Sequence, residues 1–175
     1  MGYRDAQIVV DSITPFDDRT VDIYMHIEEG EKYYLRNITW VGNTVYPSDY
    51  LAALLQMKKG DVYNQKLLGE RTSTDDDAIG NKYYNQGYVF YNLDPVEVNI
   101  VGDSIDLEMR IVEGPQATIN RVRINGNDRL YENVVRRELR TKPGDLFNKD
   151  ALERSYREIA QMGHFNPENI QPDVQ

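Results

Sequence analysis

Between Val96 and Ile100 apolar residues alternate with Glu97 and Asn99, the two-residue period of a half-buried strand. Gly102-Asp103 turns the chain into Ile105–Val112, where Ile105, Leu107, Met109 and Ile111 share one face. Upstream, Tyr34–Val41 is rich in β-branched and aromatic residues and ends at Gly42-Asn43, which predicts a strand and a turn. The period then changes. Tyr50, Leu51, Leu54 and Leu55 form a helical stripe, opened by Pro47-Ser48-Asp49 and stopped by Gly60. Pro suits a first turn, and Ser or Asp can cap it. Asn64 is placed to cap a second helix with Leu68, Ile79 and Tyr83 on one face, and Gly87 ends it. The polar stretch Gly69–Asp77 predicts a distortion within that helix. The order β-α-α-β-β gives an α+β fold, a small mixed sheet with two helices on one face.

The pattern recurs. Sliding the chain by 84 residues lays Val21–Ile27 on Ile105–Ile111, Glu29-Gly30 on Glu113-Gly114, and Gly42-Asn43 on Gly126-Asn127. Lys58, Gly60, Asp61 and Asn64 then meet Lys142, Gly144, Asp145 and Asn148. Residues 21–68 and 105–152 share 13 identities in 48 positions, where chance gives roughly three on ordinary composition. After Leu68 the register shifts: Asn85–Tyr88 corresponds to Gln161–His164, so the first copy holds eight extra residues, most simply within Gly69–Asp77. Three tandem units follow: residues 1–30 are the last strands of one module, 31–114 a complete module, and 115–175 a module lacking its last strand. In the third, Ile119–Ile124 is the expected strand, with helices striped by Val134, Val135, Leu139 and by Leu152, Tyr156, Ile159. Asn148 or Asp150 caps the second of these.

Composition narrows the chemistry. Of 175 residues, 20 are Lys or Arg and 29 Asp or Glu, a net charge of −9. Clustered cations for nucleic-acid phosphates are therefore missing, and no nucleic-acid partner is expected. With no cysteine there is no disulfide frame, thiol nucleophile or thiolate metal site. No apolar run approaches the ~20 residues of a spanning helix, and the opening residues show neither a signal-peptide core nor a myristoylation pattern. Met1-Gly2 reads as an addition to an excised fragment.

Candidate sites are few. His26 and His164 lie in different modules without ligand spacing, so ordinary histidines are expected. Asp75-Asp76-Asp77 reads as a solvated charge run, because consecutive carboxylates on a helix diverge. Lys58-Lys59-Gly60-Asp61 lacks the rest of a phosphate loop and recurs as Lys142-Pro143-Gly144-Asp145, so it marks the inter-helix turn. No nucleophile–base constellation is evident, and neither an enzyme nor a cofactor is expected. Charge is uneven, −5 over 1–30, −5 over 31–114 and +1 over 115–175. Arg136, Arg137 and Arg140 are thus candidate contacts for an acidic partner or lipid headgroups, against the simpler reading of a solvated helix face. The remaining candidate is a sheet edge. Val96, Glu97, Val98, Asn99 and Ile100 form a strand that could accept an extended peptide by β-augmentation, unless Pro95 and Glu97 blunt it.

Tandem modules of this size with recurrent Gly-Asn and Lys-x-Gly-Asp turns and a Gly-Tyr/His helix end resemble POTRA domains of the Omp85 family. Glu132–Arg140, Gly144-Asp145 and Met162–Phe165 look like the module before the barrel in BamA-like assembly proteins; residues 31–114, with Gly87–Phe90, look like the module preceding it. The resemblance implies a periplasmic arm of an outer-membrane protein, attached to a C-terminal β-barrel of the parent chain. It implies unfolded outer-membrane proteins and accessory assembly lipoproteins as partners, with Val96–Ile100 as the edge strand. A two-partner-secretion or Tam-type transporter arm, and a purely structural spacer, are the alternatives. The partial units suggest one further expectation. Gln7–Val10 and Val21–Glu28 supply two final strands whereas the third unit lacks its last, so together they would complete one module and two chains could associate head to tail.

Overall fold

The computed structural model describes residues 2–17, 19–127, 130–170 and 172–174. It opens with an antiparallel hairpin, β1 (Gln7–Pro15) and β2 (Val21–Glu28), forming a two-stranded sheet of its own. The central unit runs β3 (Tyr34–Val41), α1 (Ser48–Leu55), α2 (Gln65–Gly69), α3 (Ile79–Tyr84), β4 (Asn92–Val101) and β5 (Ser104–Val112). Its strands are ordered β3-β5-β4, with β3 parallel and β4 antiparallel to β5. This is the mixed sheet expected from β-α-α-β-β, with the last strand in the middle and the other two at the edges.

The alternation in β5 sets the core. Ile105, Leu107, Met109 and Ile111 are all buried, against Leu51 and Leu55 of α1 and Ile79 and Tyr83 of α3. The positions that repeat them in β2 are Val21, Ile23, Met25 and Ile27, and these stand 54–61% exposed. The same pattern is thus written twice but covered once, because the hairpin has no helices over it. The third unit shows the reverse. It has α4 (Glu132–Arg136) and α5 (Lys149–Gln161), with a 3-10 turn at Pro167–Asn169. The expected strand Ile119–Ile124 joins no ladder; only the bridge Thr118–Leu146 stands beside it. The difference lies in the partner: β3 owes its ladder to β5, and no described residues pair with 119–124 in that way.

Helix ends follow the local chemistry with two departures. Asn64 accepts a hydrogen bond from the Leu67 amide at 3.1 Å, and Asn148 from that of Ala151 at 2.8 Å, so the repeated asparagine caps both second helices. α1, by contrast, has Pro47 at its cap position and no side-chain cap, and it ends at Gln56 in a left-handed conformation, before Gly60. Gly60 instead belongs to the inter-helix turn, which is tied to β3: its amide donates to the Leu35 carbonyl at 2.7 Å, as Gly144 does to Ile119. Asp61 and Asp145 close these turns by accepting from the Lys58 and Lys142 amides at 2.7 and 2.9 Å.

The extra residues of the central unit are a built feature. Glu70–Thr74 forms a π-helical turn that splits the second helix into α2 and α3. Arg71 is buried there, donating to the Leu54 carbonyl from Nε (2.8 Å) and Nη2 (2.7 Å). Its Nη1 donates to Asp77 at 2.6 Å and Asp75 at 3.2 Å. The aspartate run is therefore more than a solvated charge run. Two of its carboxylates hold the arginine that satisfies the end of α1, and the same guanidinium keeps Asp77 below the usual carboxylate range.

Two joints link the units, and they are built alike. The Gly87 carbonyl accepts the Ala117 amide at 2.8 Å; the Gly2 carbonyl accepts the Tyr33 amide at 2.9 Å. Both glycines are buried with positive φ, 83° and 91°. A Cβ on Gly87 would overlap Leu146, and one on Gly2 would overlap Val62, which occupies the repeat position of Leu146. Gly2 therefore takes the same place in its joint that Gly87 takes in the other; Met1 lies outside the described residues. Polar contacts reinforce the second joint. Asn148 Nδ2 donates to the Asn85 carbonyl (2.9 Å), the Asp150 amide to Asn85 Oδ1 (2.9 Å), and Lys149 Nζ to Asn81 Oδ1 (2.7 Å).

Candidate functional site

β4 borders the three-stranded sheet and, among the described residues, pairs only with β5, so its other side presents backbone groups outside the ladder. Side chains opposite one another in an antiparallel pair share a face. Leu93, Pro95 and Glu97 oppose Ile111, Met109 and Leu107 and so face the helices; Val96 opposes Glu108 on the outer face. A bulge at Val98 then shifts the register, after which Asn99 opposes Asp106 and Ile100 opposes Ile105. Reading Val96, Val98 and Ile100 as one face therefore fails at the bulge. The bulge also divides the strand. Val96 and Glu97 are half-buried, whereas Val98 (47%), Ile100 (41%) and Val101 (52%) are exposed beside the free edge.

Glu97 is more than an edge charge. It forms an ion pair with Arg4 at 2.8 Å, from the segment that precedes β1. Tyr63, at the start of the second helix, shares the carboxylate; burial and its hydrogen bond to Glu97 push the phenol up to about 12. Arg4 also lies 5.9 Å from the centre of the Tyr33 ring, whose hydroxyl donates to Asp5 at 2.8 Å. None of Arg4, Tyr33 and Tyr63 stands out in the sequence as part of this site. The one signal pointing there is Gly2-Tyr3, which repeats Gly87-Tyr88 and marks a joint.

The three arginines of the third unit are dispersed among carboxylates. Arg136 pairs with Glu132, Arg137 with Glu138 at 2.8 Å, and Arg140 with Glu158 at 2.8 Å. The Arg140 amide also donates to buried Ser155 at 2.8 Å, which ties the segment after α4 to α5. Arg137 and Arg140 border an open cleft of ≈ 460 Å³ with Glu138, Glu158, Met162 and His164. A partner there must compete with acids already in place. Among the described residues there is no cluster of His, Asp and Glu able to hold a metal ion, and no helix long and apolar enough to cross a membrane.

Comparison with known proteins fixes the family. The family model described as "POTRA: Surface antigen variable number repeat" matches residues 33–114 and again 117–175. The chain belongs to the POTRA family. It is 28% identical over 180 residues to the outer membrane protein assembly factor BamA of Neisseria meningitidis serogroup B, covering 99% of this chain. To BamA of Nitratidesulfovibrio vulgaris it is 25% identical over 166 residues, 94% of this chain. In each case the match spans 21% of the relative's length. The crystal structure of Haemophilus influenzae BamA POTRA3-5 has the same fold: TM-score 0.74 at 22% identity, covering 94% of this chain and 65% of that one. The tandem α+β architecture is thus that of BamA's POTRA modules. Such modules are the periplasmic part of outer-membrane proteins, and the chain is a POTRA stretch of the BamA/Omp85 kind.

Proposed function

We propose that this POTRA stretch receives unfolded outer-membrane proteins at the β4 edge and helps pass them to a β-barrel borne by the parent chain. Within that arm, residues 1–30 close one module, 31–114 form a whole one, and 115–175 begin the next. The observation that carries this is the free edge of β4, where Val98–Val101 is exposed beyond the bulge. An extended peptide pairs there through backbone bonds, which give affinity with little dependence on sequence, as clients of varied sequence require. Accessory assembly lipoproteins are the second class of partner, with the ridge of Arg136, Arg137 and Arg140 as the candidate contact.

The test is a titration of an unfolded outer-membrane-protein peptide into isotopically labelled chain. Amide shifts confined to Val96–Val101 and its neighbours on β5 are expected. A full titration with no shift on β4 would defeat the peptide reading and favour a spacer. That second reading has its own support, the two joints of matching construction, which suit an arm that holds distance and angle.

A further inference from the structure

We propose that Arg4 couples the joint before the central module to the β4 edge, so that strand addition at β4 and closure of that joint influence one another. The inference rests on the peptide-binding reading above. Its basis is a continuous set of contacts. The Gly2 carbonyl holds the Tyr33 amide, and Tyr3 bridges Lys32, so the segment 2–5 lies along the start of the central unit. Tyr33 returns its hydroxyl to Asp5 and offers its ring to Arg4. Arg4 reaches Glu97, the last paired residue of β4 before the bulge. The two side chains are 34% and 21% exposed, partly withdrawn from solvent, and Tyr63 anchors the same carboxylate.

Glu97 faces the helix side. A strand laid against β4 places one residue about 5 Å from Glu97 on that face, where it meets the Arg4 guanidinium. The incoming strand therefore either accommodates Arg4 or displaces it. Displacing it removes the link between the edge and Tyr33. The second joint supplies an internal reference. It has the same glycine carbonyl bond, to Ala117, but the apolar Val89 stands where the repeat places Arg4, so that position supplies no cation to the second joint.

The experiment compares the full chain with its Arg4→Ala variant. By amide hydrogen exchange, Tyr33 in the variant exchanges faster, by about fivefold for an ion pair at the upper end of the surface range, while Ala117 is unchanged. On adding the outer-membrane-protein peptide, the wild-type chain shows shifts at Val98–Val101 and at Tyr33. In Arg4→Ala the β4 shifts persist and the Tyr33 shift is lost. Unchanged Tyr33 exchange in the variant overturns the coupling, as does a wild-type β4 response that leaves Tyr33 still. Absence of any β4 response defeats the peptide reading and the coupling with it, so the two failures are told apart. Protection of the Leu107 and Met109 amides in both chains establishes that the central module remains folded.

Discussion

At the scale of single residues, two stacked tyrosines offer opposite outcomes from the same substitution. Tyr83 and Tyr91 are both buried, their ring centres 4.2 Å apart. The Tyr83 hydroxyl donates to Glu113 at 3.0 Å, whereas the Tyr91 hydroxyl has no partner among the described residues. Tyr83→Phe removes a bond to a charged acceptor and should destabilise by about 1.5–3 kcal/mol. Tyr91→Phe removes an unsatisfied group and should be neutral or stabilising by up to ~1 kcal/mol. Urea denaturation of the two variants checks both. Glu113 itself closes the loop after β3, accepting from the amides of Thr44 (2.8 Å) and Val45 (2.9 Å), from the Thr44 hydroxyl and from Tyr83. Burial pushes its carboxyl up, but these hydrogen bonds outweigh it and hold the group below its ordinary value. A depressed folded pKa means the contribution is present above the unfolded value, near 4.5, and is lost as pH falls through the folded one. Denaturation midpoints measured from pH 6 to pH 3 should fall less steeply in Glu113→Gln than in the unaltered chain.

At the scale of elements, the joints make a prediction of their own. Gly87→Ala meets Leu146 and places a side chain at a φ of +83°. It should loosen the third unit from the second at a cost of about 1–3 kcal/mol. Asn148→Asp is the gentler probe. It keeps the oxygen that caps α5 but loses the Nδ2 donor to the Asn85 carbonyl. Amide exchange at Ala117 should rise in both variants, with exchange inside α5 changed only in the first. These elements differ in how far the sequence revealed them. The Asn caps and Lys-x-Gly-Asp turns were legible because they depend on residues within a few positions, and the repeat displayed each one twice. The inward face of β5 was legible because its alternation is unbroken. β4 was not, because a bulge at Val98 reverses the alternation without any Gly or Pro to mark it. The role of Arg71 was hidden for a different reason. Its acceptor is the Leu54 carbonyl, seventeen residues away, and no side-chain pattern records which backbone groups a helix leaves open. The Arg4–Glu97 contact spans more of the chain still, so the edge strand could be named from the sequence but not its clasp.

At the scale of the whole molecule, residues 1–30 of one chain and 115–175 of another should find each other when the chain is alone in solution. β2 bares Val21, Ile23, Met25 and Ile27, an apolar face whose repeat in β5 is fully covered. Residues 119–124 form no ladder, although their repeat, β3, pairs along its length with β5. The charges are opposite in sign, −5 on residues 1–30 and +1 on residues 115–175. The register follows from the central unit, where Leu35, Ile38 and Trp40 lie beside Ile105, Leu107 and Met109. Transferred by the repeat, Ile119, Val122 and Ile124 of one chain should lie beside Val21, Ile23 and Met25 of another. Such a contact is heterologous and leaves an open end on each chain, so it should grow with concentration instead of closing at a dimer. Because the chain has no cysteine, the register can be read directly. Met25→Cys and Ile124→Cys chains, mixed under mild oxidation, should form a mixed disulfide much faster than Met25→Cys with Arg123→Cys, which lies one residue out of register and on the other face. Ile23→Lys should abolish both the cross-link and the concentration dependence of light scattering. Monomer alone at high concentration, or equal cross-linking rates for the two pairs, would show that the repeat's complementarity does not extend between chains.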